Sequence, residues 1–236
     1  MARISAKGNP VIKTELLYQP AYAVARVTLD RGDVVRAEAG AMVSMSSGLK
    51  IETKATGGVF KSLKRSMLGG ESFFMNTFHA EADGSELLLA PALPGDVLVM
   101  PLQNSEMIVQ SGSYLASDMN IQVETSWGGA KSFFGGEGLF MLRCSGTGGL
   151  IVCSYGAIHK VNVPAGQTYT VDSGHIVAFD AHMPYQPRKA GSWKSTIFGG
   201  EGFVVDFQGP GDVHLQTRSQ QSFLSWLIPQ LPNKSN

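Results

Sequence analysis

The sequence predicts an all-β protein. Its apolar runs are short, rich in β-branched and aromatic residues, and bounded by glycine, proline, aspartate and serine, which is typical of strands and turns. Residues 21–40 and 166–179 alternate apolar and polar side chains, as strands with one buried face do. Helical periodicity appears in two segments, residues 59–68 and 219–228. Small antiparallel sandwiches or short barrels account for this pattern.

Two glycines followed by a glutamate occur three times in the chain, at starts 66 and 64 residues apart. The nine residues are Gly69, Gly70, Glu71, Gly135, Gly136, Glu137, Gly199, Gly200 and Glu201. A similar glycine-centred segment precedes each copy, around Gly40, Gly112 and Gly174. Each glutamate is followed by an apolar run, a glycine-containing turn and a returning run. Matched landmarks in the same order, three times over, indicate an internal triplication.

The repeat divides the chain into three predicted modules, which occupy residues 29–93, 94–163 and 164–219. A module of about 65 residues is marginal alone, so we expect the modules to bury their edges against one another. We expect N-terminal strands in residues 1–28 to close the ring of modules. The tail, residues 220–236, is predicted to form a short docked helix, with a foot for a membrane surface or a partner as the alternative.

Composition narrows the classes of function. Of 236 residues, 43% are apolar and 16% charged, which is typical of a folded globular chain. Nineteen basic and nineteen acidic residues cancel, so nucleic acid is not an expected partner. The N-terminus lacks the apolar core of a signal sequence, and we expect a cytoplasmic location. Cys144 and Cys153 flank a predicted hairpin turn and are expected to be buried free thiols.

Catalytic signatures are missing from the sequence. It contains no G-x-S-x-G elbow, no β-lactamase-type S-x-x-K signature and no Walker loop. The five histidines form no pair with zinc-ligand spacing to cysteines or acids. We therefore predict a non-enzymatic protein with no cofactor and no metal.

The glycine–glutamate segments have two interpretations. In the first they are structural, because glycine permits a bulge or a positive φ where a strand begins, and the carboxylate caps backbone N–H groups. In the second, Glu71, Glu137 and Glu201 converge near a pseudo-threefold axis and hold a cation. We prefer the first, because hard-oxygen companions at matching positions are not found.

Basic residues among aromatics precede each glycine pair. They are Lys64, Arg65, Lys131 and Lys194, with Trp127 and Trp193 beside them. Such loops suit an anionic surface or a lipid headgroup region, and we name them surface-binding candidates. The alternative is that the aromatic side chains seal contacts between modules while the lysines are solvated.

Several of these motifs resemble the altered-inheritance-of-mitochondria family, a group that includes a fungal mitochondrial-biogenesis protein and bacterial relatives. Residues 37–45 and 134–149 are among the segments that carry the likeness, which extends from about residue 8 to residue 219. The resemblance implies a fold like that of the tryptophan RNA-binding attenuation protein (TRAP), with three short double-stranded β-helix modules per chain. It also implies a homotrimer with nine modules in a ring, and no settled enzyme activity. The RNA and tryptophan binding of TRAP are not carried over, because fold does not determine function.

These observations predict a ring-forming scaffold or binding protein linked to membrane or envelope organisation, either free in the cytoplasm or peripheral to the membrane. Its partners would be further copies of the chain and a membrane surface or another protein. The alternative is a small-ligand or enzymatic site in the clefts between modules.

Overall fold

The structure, a computed structural model, describes residues 12–52, 75–125, 140–190 and 203–232. These residues form mostly β-strands, which confirms the all-β prediction. The strands are β1 (Lys13–Leu17), β2 (Val24–Leu29), β3 (Val34–Glu38), β4 (Met42–Met45), β5 (Leu49–Glu52), β6 (Met75–Ala80), β7 (Ser85–Leu89), β8 (Val97–Gln110), β9 (Tyr114–Asp118), β10 (Ile121–Thr125), β11 (Met141–Cys153), β12 (Ile158–Val163), β13 (Thr168–Asp172), β14 (Ile176–Asp180), β15 (Tyr185–Lys189), β16 (Phe203–Gln208) and β17 (Gly211–Gln216).

After β1, the strands fall into three groups along the chain. The first group is β2 to β7, the second is β8 to β11, and the third is β12 to β17. The first and third groups each contain six strands. In the second group the two halves of β8 act as first and second strands, β9 and β10 as third and fourth, and the two halves of β11 as fifth and sixth.

The same ladders occur in every group. In the first group, β2 and β4 pair with β7, while β3 and β5 pair with β6. In the third group, β12 and β14 pair with β17, while β13 and β15 pair with β16. In the second group the halves of β8 and β11 make the corresponding contacts with each other and with β9 and β10. In each group, therefore, the first and third strands lie on either side of the sixth strand, and the second and fourth strands lie on either side of the fifth.

Two further ladders join the groups into one ten-stranded sheet. The second strand of the first group, β3, pairs with β9, the third strand of the second group. The C-terminal half of β8 likewise pairs with β14, the third strand of the third group. The remaining strands form a four-stranded sheet, β1-β2-β7-β4, and a three-stranded sheet, β13-β16-β15.

The core follows from the alternation seen in the sequence. Ala25, Val27 and Leu29 of β2 are buried, while the residues between them are partly exposed. In the third group Phe179 and Phe207 meet edge to face with ring centroids 4.9 Å apart. Such aromatic pairs add to the free energy gained by apolar burial.

The glycine-containing turns behave differently from the prediction of hairpins. β6 does not pair with β7, nor β16 with β17, and β11 runs without a break past the predicted turn at residues 145–149. A register shift between Gly146 and Thr147 replaces that turn. Gly146 has a φ of +134°, a conformation that residues with a Cβ rarely adopt. The glycines therefore provide a bulge within one continuous strand instead of a hairpin turn. As predicted, Cys144 and Cys153 are free and buried.

The C-terminal tail begins with the helix α1 (Gln220–Leu227). The hydroxyl of Ser219 caps it by accepting a hydrogen bond from the Ser222 N–H at 3.4 Å. Phe223 lies edge to face against Tyr155, with ring centroids 6.1 Å apart, while Trp226 is 63% exposed. The helix thus contacts the segment between β11 and β12 through Phe223 and leaves Trp226 largely exposed to solvent.

Replacing Leu115 of β9 by alanine should lower the free energy of unfolding by about 2–5 kcal/mol, because its side chain is fully buried and truncation leaves a cavity. Urea unfolding followed by circular dichroism measures this. Met119→Ala serves as the control, since Met119 is 46% exposed and its truncation should change stability by about 0.5 kcal/mol or less. Equal losses in the two variants would contradict the packing described.

Candidate binding cleft

A cleft of about 800 Å³ lies between the second and third strand groups. One wall is apolar and comes from β8, whose side chains Leu98, Met100, Leu102 and Met107 line it. The other wall is polar and comes from the third group. Its residues are Lys160, Asp180, His182, Asp212 and His214.

The apolar wall exists because the N-terminal half of β8 is an edge. It pairs with β11 on one side only, within the described part of the chain. Leu98 and Met100 are therefore partly exposed although they are large and apolar. Pro101 lies in the same edge and lacks a backbone N–H, which is a common way of limiting edge-strand pairing.

An ion pair organises the polar wall. The ammonium group of Lys160 lies 2.6 Å from Asp212 Oδ2, and the side-chain amide of Asn162 donates to Asp212 Oδ1 at 2.8 Å. These two contacts, the bond from Lys160 first, lower the pKa of the Asp212 carboxyl below its usual value. Asp180 lies next to this pair, and its Oδ2 accepts the backbone N–H of Asp212 at 2.8 Å.

His214 sits behind the ion pair, opposite Lys160 in the β12–β17 ladder. It is 5% exposed, and its Nδ1 atom makes no hydrogen bond with the described residues. Burial, and next the nearby charge of Lys160, lower the pKa of the imidazole. His214 is therefore neutral near pH 7, and its buried Nδ1 atom has no partner among the described residues.

This arrangement suits recognition of an elongated ligand with an apolar side and a polar side. The ion pair and the neutral imidazole supply hydrogen-bonding groups, and the β8 side chains supply contact area. In the four described ranges no cluster of three His, Cys, Asp or Glu side chains could hold a metal ion. No helix in those ranges has the length and apolar character needed to cross a membrane.

The residues singled out from the sequence all lie elsewhere in the chain. The three glycine–glutamate segments, the four basic residues and both tryptophans fall in residues 53–74, 126–139 and 191–202, outside the described residues. Their predicted roles stay predictions.

Sequence reasoning treated His182 and His214 as isolated, and the structure brings both to the cleft. Only the pairing of β17 with β12 and β14 brings them together, and no local spacing encodes it.

An all-β chain with an open cleft between strand groups is the class of protein that these observations define. The family model described as "Mitochondrial biogenesis AIM24" matches residues 14–218, and the chain belongs to this family. The family resemblance drawn from the motifs is thereby confirmed.

Two streptococcal proteins are similar to the chain over most of its length. An uncharacterised protein of Streptococcus pyogenes serotype M6 is 30% identical over 223 residues, which cover 91% of this chain and 89% of that protein. A crystal structure of a protein from Streptococcus pyogenes has a TM-score of 0.79 at 27% identity, covering 93% of this chain and all of that one. The all-β architecture is thus shared with a bacterial relative.

Replacing His214 by isoleucine should reduce the loss of stability at mildly acidic pH. Below about pH 6.5 the unfolded chain's imidazole binds a proton that the folded state resists, so the free energy of unfolding falls as pH falls. The slope from one group cannot exceed about 1.4 kcal/mol per pH unit. Urea unfolding at pH 7.5, 6.5 and 5.5 should show a smaller decrease in His214→Ile than in the unchanged protein. Parallel curves for the two proteins would mean that His214 titrates normally.

Proposed function

We propose that the chain is a non-enzymatic, ring-forming scaffold whose three strand groups are copies of one TRAP-like module. Chains would join edge to edge, three to a ring, and present repeated loops to a membrane surface or a protein partner in the cytoplasm. The observation that carries this proposal is a pair of strands, β4 and β13, each of which has one edge unpaired among the described residues where every equivalent strand has a neighbour.

Side-chain details support the repeat beyond the ladders themselves. The third strand of every group carries a register shift at the same point, around Val43, Leu115 and Val177. The residue that ends each third strand, or follows it, accepts a backbone N–H from the sixth strand. These bonds join Ser46 Oγ to Glu86 N (3.0 Å), Asp118 Oδ2 to Gly149 N, and Asp180 Oδ2 to Asp212 N (2.8 Å).

The two ladders between groups use equivalent residues. They are Val35↔Asp118, Arg36↔Ser117 and Ala37↔Ala116 in the first, and Met107↔Asp180, Ile108↔Phe179 and Val109↔Ala178 in the second. Each joins a second strand to the third strand of the next group. Continuing the pattern would join β13 to the β4 of another group.

Exposure supports β4 and β13 as interface strands. Leu115 and Val177 are fully buried where neighbouring groups meet, whereas Val43 at the same position of β4 is 57% exposed. All four residues of β4 are exposed, and Tyr169 of β13 is 40% exposed. Within the described ranges β4 pairs only with β7, and β13 only with β16. Open edges of this kind template strand pairing with another chain.

The register follows from the two existing ladders. In the second strands, Val171 of β13 is equivalent to Ala37 of β3 and Val109 of β8. In the third strands, Ser44 of β4 is equivalent to Ala116 of β9 and Ala178 of β14. The pairs across the interface would therefore be Ser44↔Val171, Met45↔Thr170 and Ser46↔Tyr169. Such an interface is heterologous, since it joins two different surfaces, and it closes only as a ring. The family resemblance, which implies a homotrimer with a TRAP-like fold, supports a ring of three chains.

Cysteines at Met45 and Thr170 of the same chain should form disulfides between copies under mild oxidation. The expected register puts these residues directly opposite each other, within the distance that a disulfide spans. Non-reducing electrophoresis should show covalent oligomers that end at a closed species of three chains. The matched control pairs Met45→Cys with Thr168→Cys, which is two residues out of register and should cross-link at least about tenfold more slowly. Equal rates would contradict the register.

The assembly also predicts a mass of three chains by light scattering at micromolar concentration. Val43→Lys should reduce that mass, because it introduces a charge where Leu115 and Val177 are buried in the other junctions. Tyr22→Lys, at a residue 72% exposed and away from both edges, should leave the mass unchanged. A single-chain mass for the unchanged protein would contradict the ring.

The proposed binding face consists of the basic and aromatic loops. Each loop connects the fourth and fifth strands of its group, which pair with each other, so the three leave their groups at equivalent places. A ring would repeat this arrangement around one rim. Nine loops with lysines among aromatics would give an anionic surface many weak contacts at once.

A combined Lys64→Glu, Lys131→Glu and Lys194→Glu variant should lose flotation with vesicles that contain anionic lipid. The reversal of three charges per chain removes the electrostatic part of surface binding. The charge-matched control, Lys13→Glu with Lys50→Glu and Lys189→Glu, changes exposed lysines elsewhere and should float as the unchanged protein does. Flotation that is equal in both variants, or missing in the unchanged protein, would count against a membrane role.

A second candidate function is a ligand site in the cleft between the second and third groups. The Nδ1 atom of the buried His214, which has no partner among the described residues, favours it, because a buried polar atom without a partner costs free energy that a new hydrogen bond would recover. The cleft and the proposed interface strands are different parts of the chain, so the two functions are compatible.

A further inference from the structure

The N-terminal strand β1 fills a groove between the first and second strand groups. It pairs antiparallel with β2, the first strand of the first group. Ile12 is buried, and its backbone N–H donates to Asp118 Oδ2 at 3.4 Å. Ile12 and Leu16 belong to the same apolar cluster as Val99 and Ile151 of the second group. One extended segment thus covers the free edge of β2 and seals the junction between the two groups.

The cleft between the second and third groups lies at the equivalent position. The N-terminal half of β8 corresponds to β2, because both are first strands that pair with the sixth strand of their group. The shared ladder positions match Leu98 to Ala25 and Met100 to Val27. Asp180 matches Asp118, since each accepts an N–H from its sixth strand. The cleft is therefore the place that β1 occupies one junction earlier, and within the described ranges no strand covers it.

The two grooves differ in the wall that the following strand group contributes. Val99 and Ile151 face β1 across the first groove, and the equivalent residues in the cleft are Lys160 and His214. The wall formed by β8 is as apolar as the one formed by β2, and its side chains are larger, with Leu98 and Met100 in place of Ala25 and Val27. An occupant of the cleft must therefore bury apolar side chains against β8 and present hydrogen-bonding groups to the third group.

We propose that the cleft is a strand-addition site for an extended segment of another polypeptide. The segment pairs antiparallel with Leu98–Met100 and donates a backbone N–H to Asp180, as β1 pairs with β2 and Ile12 donates to Asp118. Val97 lies outside the pairing, because its carbonyl accepts from Gln19 Nε2 at 3.0 Å and its N–H donates to Asp96 Oδ1 at 2.9 Å. It carries apolar side chains four residues apart, at the positions of Ile12 and Leu16. A polar side chain midway, at the position of Thr14, meets the wall of Lys160 and His214.

Pro101 limits the length of the added strand. It stands where β2 has Thr28, the residue opposite Lys13, and it offers no N–H to a neighbour. Pairing is therefore confined to Leu98–Met100 of β8, between the occupied Val97 and Pro101. A short strand held by a few side chains is a means of reversible recognition, and the same proline protects the edge from unlimited pairing.

Disulfide trapping with a synthetic peptide tests the site. The probe copies residues 10–19 of the chain with Glu15→Cys, and the protein carries Val99→Cys. Glu15 lies opposite Arg26 in the β1–β2 ladder, so the cysteine of a bound probe would lie opposite position 99. The native Cys144 and Cys153 are buried and their pKa values are raised by that burial, so they react little. Trapping should be at least about tenfold faster than with a probe that also carries Ile12→Asp and Leu16→Asp.

The position of trapping separates this site from displacement of β1. Arg26→Cys puts the thiol on the edge that β1 already covers, so the probe should react there at least about tenfold more slowly than at Val99→Cys. Equal rates at the two positions, or equal rates with the two probes, would overturn the proposal.

A binding measurement without cysteines completes the test. Fluorescence anisotropy of a labelled probe should show an affinity that falls at least about tenfold in Leu98→Asp, which places a charge on the apolar wall. Tyr22→Asp, an exposed site away from the cleft, should leave the affinity unchanged. Loss of affinity in both variants, or in neither, would contradict a site on β8. The experiment is independent of ring assembly, because none of the altered residues lies on β4 or β13.

Discussion

The backbone hydrogen bonds between one strand group and the next are the constraint on which the rest of the structure depends. Each group has too little apolar area to be stable as an isolated sandwich, and each offers open strand edges. The β3–β9 and β8–β14 ladders satisfy those edges and bury Leu115 and Val177 between the groups. Among the described residues β4 and β13 each keep one unpaired edge, where the equivalent strands of the other groups are paired on both sides.

The same logic explains why one junction is closed and the next is open. β1 completes the free edge of β2, and its apolar side chains meet Val99 and Ile151. At the following junction no described strand takes the place of β1, and the third-group wall carries Lys160 and His214 instead of Val99 and Ile151. Among the described residues the buried Nδ1 atom of His214 makes no hydrogen bond. This difference between the two junctions is the basis for the proposed strand-addition site.

The sequence predicted the all-β class and the family correctly, because both signals were local. Alternation around residues 21–40 corresponds to β2 and β3, and the N-terminal cap at Ser219 begins the expected tail helix. The predicted hairpins at the glycine-rich turns were wrong. Glycines permit a hairpin and a bulge equally well, and the choice depends on whether the two runs pair with each other or with separate partners. The candidate residues chosen from the glycine–glutamate motifs and the lysine loops remain predictions.

Residue order alone determined the all-β class, the spacing of the three similar segments and membership of the family, because periodicity, turn chemistry and motif identity are properties of neighbouring residues. Tertiary structure decided which strand pairs with which, and therefore the cleft. His214 and Lys160 meet through a ladder between strands more than fifty residues apart, and Asp180 joins them from a third strand. Such contacts follow from register, which is set by long-range hydrogen bonds and bulges that no short segment encodes.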